Sequence, residues 1–242
     1  MSLVADALSL GFPGRVLCQG LSFEVRPGQC WAVLGNNGSG KTTLMHALAG
    51  VRRPLAGAVR LDGESLWALG AAARARRIGL LLQEEPLEFW GAVLDYVCLG
   101  RYPHRRSLFG WGAEDESIAR QSLEQMDLSA LAGRPLSTLS GGERQRARLA
   151  LVLAQAPAFF LLDEPLQHLD LRHQQQVLDC FTGLARRAGK AVVLVLHDPR
   201  LARANCDHAL LLHDAEPPVA GVAERMLTPE NLGRLYGCAV PL

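Results

Sequence analysis

Cys30-Trp-Ala-Val-Leu-Gly35-Asn36-Asn37-Gly38-Ser39-Gly40-Lys41-Thr42-Thr43 is the stretch from which the rest of the chain can be read. An apolar run, Cys30–Leu34, meets a glycine-rich turn, and a helical pattern, Lys41–Ala49, begins where the turn stops. Gly35 to Thr42 fits G-x-x-x-x-G-K-S/T, a phosphate-binding loop, in the strand–loop–helix setting that the pattern requires. Glycines let backbone N–H groups turn onto phosphate oxygens with no Cβ in the way. The helix that follows presents its positive end to the same anion. Lys41 then reaches the β- and γ-phosphates, and the Thr42 hydroxyl is a ligand for Mg²⁺. The chain has 24 glycines but only two lysines, Lys41 and Lys190, so an accidental match is a poor explanation.

Working outward, short and nearly continuous apolar runs recur at Ile78–Leu82, Ala158–Leu162, Ala191–Leu196 and Ala209–Leu212. Strands buried on both faces of a parallel sheet read this way. Helical patterns alternate with them, as in Leu169–Ala188, where Val177, Phe181, Leu184 and Ala185 share a face and Gly189 stops the helix. Leu21–Val25 and Ala58–Leu61 instead alternate apolar with polar and read as antiparallel strands with one wetter face. From Glu84 to Thr138 helical periodicity continues with no strand pattern, which suggests a helical insertion into an α/β core.

Composition excludes several classes. With 49% hydrophobic and 20% charged residues among 242, a disordered chain is ruled out. The 25 basic and 24 acidic side chains leave +1, which gives no basic field for nucleic acid. Leu149–Leu162, the longest near-apolar run, is broken by Gln155 and Pro157 and is too short to span a membrane. The first residues lack a basic region followed by an apolar block, so no secretion is expected. Cys18, Cys30, Cys98, Cys180, Cys206 and Cys238 are widely spaced, which fits buried free thiols in the cytoplasm better than a zinc site or disulfides.

Two further stretches carry chemistry. Phe159-Phe-Leu-Leu-Asp163-Glu164-Pro165 is a buried strand ending in adjacent carboxylates, at the strand end where functional residues of parallel sheets collect. Such neighbours point different ways, so Asp163 can serve Mg²⁺ while Glu164 orients or deprotonates an attacking water. Leu139-Ser140-Gly141-Gly142-Glu143 opens a long helix. Ser140 and Glu143 make an S-x-x-E capping box, but capping does not explain two glycines. A bare Gly-Gly helix start admits a second surface and is an anion site.

This last stretch resembles the signature motif of the ABC ATPases, with Glu143 in place of the commoner Gln. The resemblance extends from about Leu8 to about Gly237, with the motifs in order. It implies an α/β P-loop NTPase core of the RecA-like kind with a mainly parallel sheet, an N-terminal antiparallel β subdomain and an inserted α-helical subdomain. The core would occupy about 1–86 and 156–242 and the helical part about 87–155 of a single domain. Gln83 matches the Q-loop glutamine that contacts Mg²⁺ and joins core to insertion. Asp170 matches the D-loop, and His197 the switch histidine that contacts the γ-phosphate. The catalytic set is then Glu164, His197, Gln83 and Lys41, with Thr42, Gln83 and Asp163 at the metal. Two departures stand out. Where relatives stack a Tyr on adenine, the nearest aromatic here is Phe12, with Arg15 as the alternative. After Pro165 the family often has Thr, whereas this chain has Leu166-Gln167, a difference expected to leave the core chemistry alone.

The resemblance implies two copies facing head to tail. ATP would lie between one copy's phosphate loop and the other's Ser140-Gly141-Gly142. Val93–His104, which contains Gly100-Arg101-Tyr102-Pro103-His104, is similar to importers of iron-siderophores, haem and cobalamin, as are Leu169–Gln174 and Leu227–Gly237. Implied partners are membrane-spanning permease subunits and, indirectly, a periplasmic substrate-binding protein, with the chain peripheral on the inner face of the cell membrane. Alternatives are a soluble ABC ATPase, such as an iron–sulfur assembly ATPase, or an importer of another substrate. A simple P-loop kinase has no use for Leu139–Gly142.

Overall fold

The central strands are apolar at every position because both of their faces are covered. In the computed structural model, which describes residues 1–83, 89–105, 110–213 and 216–240, two sheets form. The antiparallel one contains β1 (Leu3–Phe12), β2 (Arg15–Val25), β4 (Ala56–Leu61) and β5 (Glu64–Ser65), in the order β2-β1-β4-β5. The other contains β3 (Cys30–Gly35), β6 (Ile78–Leu81), β7 (Phe159–Leu162), β8 (Ala191–Val195), β9 (His208–Leu212) and β10 (Val219–Val222), in the order β10-β9-β3-β8-β7-β6. All its neighbours are parallel except β9 and β10. The fold is the α/β P-loop arrangement expected from sequence.

Side chains that alternate along each strand go to two separate cores. Cys30, Ala32, Leu34, Phe160, Leu162, Val192 and Leu194 pack on one side with helical residues such as Val97, Leu123, Leu149 and Phe181. Trp31, Val33, Phe159, Leu161, Val193 and Val195 pack on the other with Leu3, Leu8, Leu10 and Leu44 of the antiparallel sheet and first helix. The helices are α1 (Lys41–Leu48), α2 (Ala71–Arg77), α3 (Val93–Cys98), α4 (Ala113–Gln125), α5 (Gly141–Gln155), α6 (Leu171–Ala188), α7 (Pro199–Asn205), α8 (Ala223–Met226) and α9 (Pro229–Tyr236). Helix α6 starts two residues later than its apolar pattern suggests, because Asp170 caps it, and it stops at Gly189 with φ 61°.

Among the described residues between 84 and 138 no strand forms. Only an isolated antiparallel bridge joins Ala92 to Pro135. Glu84 itself lies outside the described residues. No described helix is long and apolar enough to cross a membrane. Four of the cysteines are buried, but Cys180 is only half-buried and Cys238 is exposed, which corrects the expectation of uniformly buried thiols.

Candidate nucleotide site

Strand β3 ends at Gly35, where a Cβ would lie 2.6 Å from the Leu212 carbonyl oxygen, so the loop can leave the sheet only through glycine. The chain then turns through Gly38 (φ 84°) and Gly40 (φ 101°), left-handed conformations that favour glycine. Gly40 is the N-cap of α1, and no side chain caps that helix, so its first N–H groups are directed at the cleft for an anion. Lys41 is 6% exposed, and its Nζ donates to the carbonyl oxygens of Gly35 and Asn36, both at 2.8 Å. Asn36 is anchored in turn, its Nδ2 donating to the Leu235 carbonyl at 3.0 Å. Ser39 N–H donates to Asn36 O at 3.2 Å and tightens the loop.

A cleft of about 540 Å³ opens over this loop. It is lined by Asn37, Gly38, Gly40, Lys41, Thr42, Thr43, Gln83, Glu164 and His197, with Phe12, Arg15, Leu17 and Gln167 at its other walls. The sequence-derived phosphate, Q-loop, catalytic and switch residues therefore meet in one place. Phe12 and Arg15 both reach it, and the Arg52 guanidinium covers one face of the Phe12 ring at 4.1 Å from its centroid.

Glu164 and Asp163 diverge as strand-end neighbours should. Glu164 is 7% exposed and adopts a left-handed backbone, φ 51°. His197 Nε2 lies 2.9 Å from Glu164 Oε1, and Gln167 Nε2 donates to Glu164 Oε2. Gln167, part of the Leu166-Gln167 departure that was expected to leave the core residues alone, thus reaches the Glu164 carboxylate. Asp163 is 1% exposed, and neither carboxylate oxygen has a hydrogen-bond partner within ordinary limits. Burial pushes its carboxyl above the ordinary carboxylate range, with the nearby Thr42 hydroxyl opposing that shift less strongly. A buried acceptor without a donor beside a threonine hydroxyl suits a divalent cation that arrives with phosphates. Among the described residues no cluster of three His, Cys, Asp or Glu could hold a metal alone, and a cation here would draw its remaining ligands from phosphate oxygens and water.

The signature residues lie away from this cleft and have local duties. Ser140 Oγ accepts from Glu143 N–H at 3.3 Å, and Glu143 Oε2 accepts from Ser140 N–H at 2.8 Å. The Ser140 N–H, with the Ser140 hydroxyl second, holds the Glu143 carboxyl below its ordinary range. A Cβ on Gly142 would sit 2.9 Å from the His168 carbonyl oxygen, so one glycine accommodates the chain's own backbone. Asp170 caps α6 by accepting from His173 N–H at 2.9 Å, which lowers its carboxyl too.

Sequence reading did not find a buried relay behind the cleft. Gln145, one turn into α5, donates through Nε2 to the Pro165 carbonyl at 3.2 Å and to the Glu164 carbonyl at 3.5 Å. Arg148 Nη1 donates to Gln145 Oε1 at 3.0 Å, and the same guanidinium donates to the Leu82 and Gln83 carbonyls.

A model of the ABC transporter family matches residues 18–167 of the chain. The chain belongs to the ABC transporter family. This ABC chain is 37% identical to the achromobactin transport ATP-binding protein of Dickeya dadantii, over 93% of its own length and 84% of the relative's. It is 41% identical to the hemin import ATP-binding protein of Pseudomonas aeruginosa, with 98% and 93% covered. The ferric enterobactin transport ATP-binding protein of Escherichia coli is 36% identical, with 97% and 87% covered. Among solved structures, a chain of a metal-chelate type ABC transporter in an inward-facing conformation superposes with a TM-score of 0.85. It is 32% identical, with 98% of this ABC chain and 90% of that one covered. A dimeric bacterial ABC transporter cassette has the same fold, with a TM-score of 0.82 at 24% identity, 91% and 98% covered.

Proposed function

We propose that the chain is the ATP-binding and ATP-hydrolysing subunit of an ABC importer for a metal chelate, an iron-siderophore or haem by the relatives' names, or cobalamin by the sequence resemblance. The observation that carries this reading is the single cleft in which Lys41, Thr42, Glu164 and His197 face an uncapped helix N-terminus. Lys41 exchanges its loop carbonyls for the β- and γ-phosphate oxygens of ATP. Thr42, Asp163 and Gln83 would hold Mg²⁺, which when bound neutralises phosphate charge. Glu164, held by His197, orients a water and accepts its proton as that water attacks the γ-phosphorus and the bond to the β–γ bridging oxygen breaks, leaving ADP and phosphate.

Two copies face head to tail in this reading, each presenting Ser140, Gly141, Gly142 and Glu143, with Asp170 nearby, to the other's nucleotide. The α/β core takes about 1–86 and 156–242, and the helical part, about 87–155, faces the permease subunits. A periplasmic binding protein acts on the far side of those subunits. The chain sits on the cytoplasmic face of the membrane and binds no nucleic acid. The near-neutral charge, the absence of a membrane-crossing helix among the described residues and the names of the relatives support this placement.

The test is Glu164→Gln, which keeps shape but cannot accept a proton. Turnover should fall by roughly 10²–10⁴-fold while ATP binding remains. Size-exclusion chromatography with ATP and Mg²⁺ should then show the variant as a dimer. Wild-type hydrolysis by Glu164→Gln would refute the assignment of the base.

A further inference from the structure

A carboxylate that works as a base must aim a lone pair at one water, and every rotamer that aims elsewhere dilutes the reactive arrangement. Glu164 begins from an awkward place. Its backbone lies in the left-handed region at φ 51°, which is strained for a residue with a Cβ and persists only when neighbours hold it. The backbone has such support: Gln167 N–H returns to the Glu164 carbonyl at 3.3 Å, and Gln145 grips the Pro165 carbonyl at 3.2 Å. For the side chain, His197 takes Oε1 at 2.9 Å, but the His197 side chain is 51% exposed. One exposed donor leaves the carboxylate free to rotate about a single contact. The second donor is the Gln167 amide, on Oε2, supplied by the same short turn.

We propose that Gln167 is a positioning residue that fixes the plane of the Glu164 carboxylate for catalysis. Two donors from two loops, one on each oxygen, define that plane. Each oxygen has two lone pairs, so the clamp still leaves acceptor capacity for a water. Gln167 also lines the cleft shared by Lys41, Thr42 and His197, so the clamp faces the proposed nucleotide site. Side-chain length matters, since Asn is one methylene shorter and does not span the same turn. The proposal rests on Glu164 being the base, and the experiment separates the two.

Full-length wild type, Gln167→Met, Gln167→Ala and Gln167→Asn are assayed for phosphate release over a range of ATP concentrations with Mg²⁺. Met keeps the length and volume of Gln but donates no hydrogen bond, so it isolates the clamp from packing. Equal thermal unfolding of Gln167→Met and wild type shows that the fold is kept. The expected result is a kcat about tenfold lower in both Met and Ala variants, worth about 1.4 kcal/mol, with KM for ATP within about twofold. Asn should fall with them. In a Glu164→Gln background, adding Gln167→Met should change nothing further. Wild-type kcat in Gln167→Met overturns the proposal, as does a rise in kcat or a parallel change in KM. If Glu164→Gln is inactive while Gln167→Met is normal, only the clamp is refuted. If Glu164→Gln hydrolyses ATP normally, the base assignment itself is refuted.

Discussion

Replacing Asp163 by Asn should make the nucleotide-free protein more stable while removing its response to Mg²⁺. Asp163 is 1% exposed, and neither oxygen has a hydrogen-bond partner within ordinary limits, so its ionised form is a desolvated charge that the nearby Thr42 hydroxyl and the Lys41 and His46 side chains offset only in part. An unsatisfied buried group costs about 1–3 kcal/mol, and more when it is charged. Asn returns part of that cost through its own unpaired amide, which leaves about 1–2 kcal/mol in favour of the variant. For a chain of this size that raises Tm by roughly 2–8 °C. The pH dependence has a definite sign. The folded-state pKa is raised, chiefly by burial, so the wild-type chain binds its proton more tightly folded than unfolded. This group's contribution is therefore most favourable below the unfolded carboxylate value near 3.9. It is lost as pH rises through the higher folded value. The gap between variant and wild type should accordingly be widest near pH 7 and should close as pH falls toward 4. Scanning fluorimetry in EDTA across that range measures it. Adding ATP should then raise Tm equally with and without Mg²⁺ in Asp163→Asn, but not in wild type. A variant no more stable than wild type at pH 7 would refute the view of Asp163 as a buried charge that its neighbours compensate only in part.

Lys41→Ala should weaken ATP binding by at least about a hundredfold, since the loop loses its cation for the phosphates. Titration calorimetry with the purified variant checks this, and unchanged affinity would exclude the phosphate-loop assignment. Ser140→Arg should leave ATP binding to the isolated chain intact and abolish turnover, because in the proposed pair that residue acts on the second copy's nucleotide. It should also cost about 1 kcal/mol of stability through the lost N-cap. Binding that disappears together with turnover would place the motif in its own chain's site.

Legibility from sequence followed the range of the signal. The turn from β3 into α1 is local, and its glycines and lysine announce both its shape and its chemistry. The fully buried strands were equally plain. Strand β1 was not, because Ala7 sits at φ 47° and the register shifts between Ala5 and Leu8, so the alternation that marks a strand is broken. Strand β10 is short and has no buried residue, and therefore carries no apolar pattern. In the site, Gly142 was read as room for a partner, whereas its own chain's His168 carbonyl already demands it. Gln167 was noticed only as a departure from the family pattern, and its contact with Glu164 was not, since Glu164 has a positive φ that no residue type there foretells. Gln145, Arg148 and the Arg52–Phe12 contact join residues far apart in the chain, and nothing in their local sequence pattern marks them.

Helix α5 does two jobs along one rigid rod. Its start carries Ser140 and the glycines that, in the proposed pair, meet the other copy's ATP. About 6 Å further along, Gln145 grips the turn that carries its own chain's Glu164. A push on one end would thus reach the other with no change in secondary structure. In the proposed pair this would correlate the two hydrolysis events in time, like two pistons on one crank. A mixed pair with one Glu164→Gln copy should hydrolyse ATP at well under half the wild-type rate, whereas independent sites would keep half.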